Sequence, residues 1–213
     1  MQSNNWKKKD TVVTIAIIVG IIALGIGASY AVYTANINGQ RQLNETKAAT
    51  LNVTSSLTSE GTSINTDSLG LIEASEYTEK GESLAFTVTN QSTSTVKAKY
   101  TVNINDMSLS KNLFSEYFKW ALKVNDTVVA TGNFADSSKV AEGYTLQAGD
   151  EPLTGLTKPL ISSNDARVLD IGATDNLVLY VWLENSPSVD QLYLTNGSFS
   201  GKLSVDATPY KAN

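Results

Sequence analysis

The chain predicts an all-β fold: an antiparallel β-sandwich, jelly-roll-like, preceded by an N-terminal apolar export or transmembrane helix. Three observations carry this. From about Leu51 onward the apolar residues recur with period two, the spacing of strands with one buried face. That part of the chain is rich in Ser, Thr, Asn, Val and Leu, a mixture suited to strands joined by polar turns. And the first 35 residues hold a long uncharged apolar run directly behind three lysines, the pattern of an export or membrane-inserting segment.

Lys7, Lys8 and Lys9 hold the N-terminus on the cytoplasmic side by the positive-inside rule, so the chain after Ala35 is expected outside the membrane. The run supports two readings. Val12 to Val32 has about the ~20 residues that cross a bilayer. Yet Ser29-Tyr30-Ala31 fits small-x-small cleavage after Ala31, leaving Val32 as the new first residue. Gly20, Gly25 and Gly27 weaken a helix near its outer end, which favours peptidase access. Residues 1–31 are therefore read as a signal peptide or a membrane anchor, with Ser29, Ala31 and Val32 marking the cut. The small-residue pairs Ala16/Gly20 and Ala23/Gly27 have the spacing of a helix dimer face, although such residues are common in these segments.

Residues 32–48 form a polar tail. A free extended segment can add a strand to a neighbouring sheet, and Val32, Tyr33, Thr34, Ala35, Asn36, Ile37 and Asn38 are the candidate assembly strand. The alternative is a spacer between membrane and domain.

Residues 49–213 are expected to form a single sandwich domain. Thr50–Ser55 is a first strand. In "LAFTVTN", Leu84, Phe86 and Val88 share a face, and in "VKAKYTVNI" so do Val96, Ala98, Tyr100, Val102 and Ile104. The polar "NQSTST" between them predicts a hairpin. "SKNLFSEYFKW" predicts a short helix capped by Ser110. "FKWALKV" and "TVVATGNF" flank Asn125-Asp126 as a second hairpin. Ala135–Asn164 is weakly patterned and read as an elaborated loop, of the kind that often binds ligands. "RVLDIG" is a short strand. "NLVLYVWLEN" is apolar on both faces, so Tyr180 and Trp182 on its second face are expected to be covered, or else to form an interface. Asn196-Gly197 signals a tight turn before "SFSGKLSVDA", where Phe199, Gly201, Leu203, Val205 and Ala207 alternate with polar residues.

The chain contains no cysteine and no histidine. Disulfides, thiolate and imidazole zinc sites, Ser-His-Asp triads and Cys-His dyads are thereby excluded. A formal net charge of −5 argues against a nucleic-acid partner. Asp150, Glu151, Asp165, Asp170 and Asp175 are oxygen donors of the type calcium takes, but their spacing matches no calcium loop and they read as surface charge. A glycosidase pair of carboxylates has no positive sign in its favour. The N-x-S/T triplets at Asn44, Asn52 and Asn125 are no more than this composition produces by chance. The expectation is a non-enzyme without catalytic, cofactor-binding or metal residues.

The segments "ASYAVYTA", "AATLNVTSS", "LAFTVTNQSTSTVKAKYTVNI", "RVLDIGATDNLVLYVWLEN" and "GSFSGKLSVDA" together resemble the TasA/camelysin-like group of exported proteins. The resemblance implies a jelly-roll-like sandwich at the cell surface, in a group where some members build extracellular or biofilm fibres by donating an N-terminal strand to the next subunit. By position the donor here is Val32 to about Thr46. The metallopeptidase activity ascribed to camelysins is not implied for a chain without a zinc-ligand set. The partners expected are other copies of this chain and the cell envelope, with membrane contact only through the N-terminal segment. The alternative is a membrane-tethered adhesin or carbohydrate-binding sandwich using the long loop and aromatics such as Tyr144.

Overall fold

Alternating strands of this kind bury one face each, and two sheets closing on one another are the economical way to cover those faces. A computed structural model of the protein describes residues 35–36, 50–57, 63–66, 69–194 and 196–210. They contain twelve strands: β1 (Ala35–Asn36), β2 (Val53–Ser55), β3 (Ser63–Thr66), β4 (Leu71–Ile72), β5 (Glu82–Asn90), β6 (Ala98–Leu109), β7 (Phe118–Val124), β8 (Thr127–Asn133), β9 (Leu153–Ile161), β10 (Arg167–Leu169), β11 (Thr174–Glu184) and β12 (Phe199–Pro209). A one-turn helix α1 (Tyr77–Lys80) precedes β5. In the front sheet β12 and β6 are the long central pair; β1 and β3 pair with β12, and β9 and β10 with β6. The back sheet runs β2-β5-β11-β7-β8, with β4 added in parallel at the end of β11. All other pairings are antiparallel.

The period-two reading holds along the long strands. Ala98, Tyr100, Val102 and Ile104 of β6 are buried, as are Phe199, Leu203, Val205 and Ala207 of β12 and Leu177, Leu179, Val181 and Leu183 of β11. They join Phe118, Phe134 and Phe199, whose rings lie 4.4–5.3 Å apart, in one core. The sheets are also tied by a buried polar knot. Tyr100 on β6 donates its hydroxyl to Asp175 on β11 at 2.6 Å, Arg167 Nε donates to the same oxygen at 3.3 Å, and Asn125 donates to the other at 2.8 Å. The carboxylate is thus shared among three donors, which is what makes a buried charge tolerable. Burial first, and the bond to Asp175 second, push the Tyr100 hydroxyl far above its ordinary range.

The hairpin β7–β8 forms as the sequence predicts, with Asn125 and Asp126 both at positive φ, the backbone that a tight hairpin turn demands. At Gly132 the Trp120 indole from the paired strand lies across the backbone, where a Cβ would sit 2.8 Å from it.

Three expectations need correction. β5 and β6 do not form a hairpin, because "NQSTST" carries the chain from the back sheet to the front one. Asn90 fixes that corner by donating to the carbonyls of Val96 (3.1 Å) and Leu169 (3.2 Å). The segment after Ser110 makes only a 3-10 turn, Lys111–Leu113, and the Ser110 hydroxyl pairs with Ser198 instead of capping it. The stretch 135–164 is not all loop, since it contributes β9 to the front sheet. Among the described residues no helix is long and apolar enough to cross a membrane. The apolar run before Ala35, and with it Ser29, Ala31 and Val32, lies outside them.

Candidate functional site

The first surface of interest is a strand edge. β12 is covered on one side by β6 along its length, but on the other by two short segments only. β3 pairs with Phe199–Lys202 and β1 pairs Ala35 with Ala207 and Asn36 with Asp206. Between them Leu203, Ser204 and Val205 have no strand partner on that side among the described residues. A strand edge offers backbone N–H and C=O groups to whatever extended chain arrives. Of the candidate assembly strand, Ala35 and Asn36 are thus found on this edge; Val32, Tyr33, Thr34, Ile37 and Asn38 lie outside the described residues.

A second surface lies on the outer face of the back sheet. β11 directs Leu177, Leu179, Val181 and Leu183 inward, so the period of two sends Tyr180 and Trp182 outward. Outward apolar rings need a cover, and α1 supplies it. Tyr77 stacks on Trp182 at 4.6 Å and meets Tyr180 edge-on at 5.4 Å, leaving Trp182 6% exposed. Lys123 sits over the Tyr180 ring at 5.5 Å. Beside this stack opens a cleft of about 300 Å³, where Tyr77 and Trp182 adjoin Lys119, Thr131, Asn133 and Glu184. Lys119 and Glu184 form a loose ion pair at 3.8 Å. The indole N–H of Trp182 is buried without a hydrogen-bond partner. The cleft thus sets the rim of the aromatic stack beside an ammonium, a carboxylate, an amide and a hydroxyl. Tyr77 carries no sequence signal for this role, as it sits in a polar stretch with no periodicity.

The third surface, the long loop, is tied down. Asp150 accepts from Lys111 Nζ at 2.7 Å, the Tyr144 hydroxyl at 2.8 Å and the Gln147 N–H at 2.8 Å. These donors, Lys111 first, hold its carboxyl down at about 2. Tyr144 is therefore a loop fastener, not a free aromatic. The acidic residues weighed for calcium are dispersed: Asp165 pairs with Ser162, Asp170 with Lys97 and Asp175 with the inner knot. Among the described residues no three acidic side chains gather at one point.

No family model and no curated protein matches the chain. Among solved structures the chain is similar to one described as the structure of a family 35 carbohydrate binding module from an environmental isolate. The two are 14% identical, at a TM-score of 0.30, over 79% of this chain and 97% of that one.

Proposed function

We propose that this protein is an exported cell-surface structural protein, non-catalytic, whose subunits join into a fibre or surface layer by N-terminal strand donation. The observation that supports it is the register of β1 on β12. Ala35 and Asn36 occupy an edge on which the next three residues, Leu203–Val205, have no strand partner among the described residues. In the assembled state a neighbour's tail takes the place of β1 and continues that register, setting the donor's Ile37 opposite Val205 and its Asn38 opposite Ser204. Val205 and Ala207 face the core, so Ala35 and Ile37 of the donor add apolar surface to it. Exchange costs little, because the bonds made between subunits replace identical bonds made within one. The TasA/camelysin-like resemblance points the same way.

The test is deletion of residues 32–46. The variant should keep the unfolding transition of the parent and lose polymers in electron micrographs and sedimentation. Polymers formed by the deleted chain would remove strand donation. The intact mass of protein recovered from cell surface and medium supplies the companion measurement: a chain beginning at Val32 has the free tail that donation requires.

The cleft beside Tyr77 and Trp182 favours a second reading, a membrane-tethered adhesin or carbohydrate-binding module. That reading requires a retained N-terminal helix and a monomeric exported domain. Its test is a glycan array with the Glu184→Gln and Asn133→Ala variants, where loss of a wild-type signal supports it and a blank array with wild-type protein ends it.

A further inference from the structure

The front sheet carries a cavity that neither reading uses. It has a volume of about 360 Å³ and lies where β6 and β9 meet the start of the 135–152 segment, within the ~300–1,000 Å³ range of small-molecule sites. Its origin is a strand irregularity. The β6–β9 register shifts on both sides of Met107, next to Asp106 at φ 48°, and Gly155 on β9 stands at φ 69°. Bulges of this kind bend a strand away from its partner and re-aim side chains. Met107, Leu109, Phe114, Phe134 and Leu156 supply the apolar part of the lining. Two ammonium groups, Lys139 and Lys158, and one carboxylate, Asp136, border it.

Lys158 is the informative residue. Its Nζ lies 5.9 Å from the centre of the Phe134 ring, and among the described residues it makes no ion pair or hydrogen bond. Asp136 acts on it only at a distance, forming no ion pair or hydrogen bond with it among the described residues, while its carboxylate accepts from the N–H and hydroxyl of Ser138 in its own turn. A lysine that merely lays its stem on apolar surface keeps its head in water. At Lys158 burial, the larger effect, holds the amine below the ordinary lysine range against the upward pull of Asp136. Among the described residues the half-buried cation therefore has no hydrogen-bonded anion to offset its desolvation. With two cations against one anion, the cavity wants a single negative charge attached to an apolar body, and Asp136 repels a dianion such as phosphate.

We propose that this cavity binds a small monocarboxylate with an aromatic or aliphatic body, its carboxylate on Lys158 and its apolar part against Met107, Phe114 and Phe134. The chain has two methionines, Met1 and Met107, so a methyl-13C-methionine label places one reporter inside the cavity. The probes are 4-phenylbutyrate and its uncharged analogue 4-phenylbutan-1-ol, titrated into the full chain up to about 10 mM, the weak end of specific binding. The Met107 methyl signal should shift saturably with the carboxylate, and the alcohol should bind at least about tenfold more weakly, the effect of one lost charged hydrogen bond. Lys158→Leu should bring the carboxylate down to the level of the alcohol, and Lys158→Arg should retain the preference. Equal binding of acid and alcohol by the wild-type chain, or no shift at all, would overturn the proposal. Full carboxylate affinity in folded Lys158→Leu would do the same. Should Lys158→Leu fail to fold, the acid-against-alcohol comparison in the unaltered chain decides.

Discussion

The two sheets share a core and a strand period, yet their outer faces are opposites. On the front sheet the outward residues of β6 and β12 include Lys99, Thr101, Asn103, Asn105, Ser200, Lys202, Ser204, Asp206 and Thr208. They meet diagonally across the strands: Asn105 donates to Ser204 at 2.7 Å and Asn103 to Asp206 at 3.3 Å. That face is complete as it stands in water. The back sheet turns Tyr180 and Trp182 outward, and they acquire Tyr77 as a lid and Lys123 as a neighbour. A polar outer face needs no third layer, whereas an aromatic one recruits one and creates a cleft at its margin. This is why the back sheet, and not the front, offers the aromatic cleft.

The contrast can be tested through stability. Phe118 belongs to both sheets through its contacts with Phe134 and Phe199. Phe118→Ala should therefore cost the most, about 4 kcal/mol in chemical denaturation, as for other truncated core aromatics. Trp182→Ala should follow at about 3 kcal/mol, since its ring is buried under Tyr77 although it faces outward. Asn105→Ala on the front outer face should cost only about 1 kcal/mol, the net value of one hydrogen bond. If Asn105→Ala proved as costly as Trp182→Ala, the two faces would not differ in the way described.

The smallest effect concerns the fastened loop, which belongs to neither face. The Asp150 carboxyl is held below its unfolded value of about 3.9, at about 2. Its contribution is complete above the unfolded value and is lost as pH falls through about 2. Amide exchange in residues 139–150 should accelerate across that window while the strands stay protected. Loop exchange that changes only with global unfolding would show that Lys111, Tyr144 and Asp150 do not act as a separate fastening.

Much of the architecture was legible because inward-facing residues repeat locally. β5, β6, β11 and β12 follow from alternation alone, and the β7–β8 hairpin follows from Asn125-Asp126. β9 was concealed by its own chemistry. Gly155 and Pro159 lie inside it, and both are tolerated because it is an edge strand with bulges. The crossing from β5 to β6 was illegible for a different reason. A polar six-residue link reads the same whether it returns along one sheet or passes to the other, and what decides it is the bond from Asn90 to Leu169, 79 residues away. Ser110 fails as a cap for the same cause, having its partner at Ser198. Of the candidate surfaces, the tail was readable as a candidate donor strand or a spacer, but the edge of β12 on which Ala35 and Asn36 lie was not. Tyr77 and Lys158 acquire their settings only from strands distant in sequence.

The placement of β12 also sets a timetable. It is the last strand in the chain, yet it lies inside the front sheet, between β6 on one side and β1 and β3 on the other. A chain emerging N-terminus first from a ribosome therefore holds β6 with one edge bare until Phe199–Pro209 arrives. The pairing of Ala35 with Ala207 is the most distant in sequence among the described strand pairings, and contacts of that span retard folding. Until Phe199–Pro209 can pair, the inner face of β6 lacks the β12 residues that complete its side of the core.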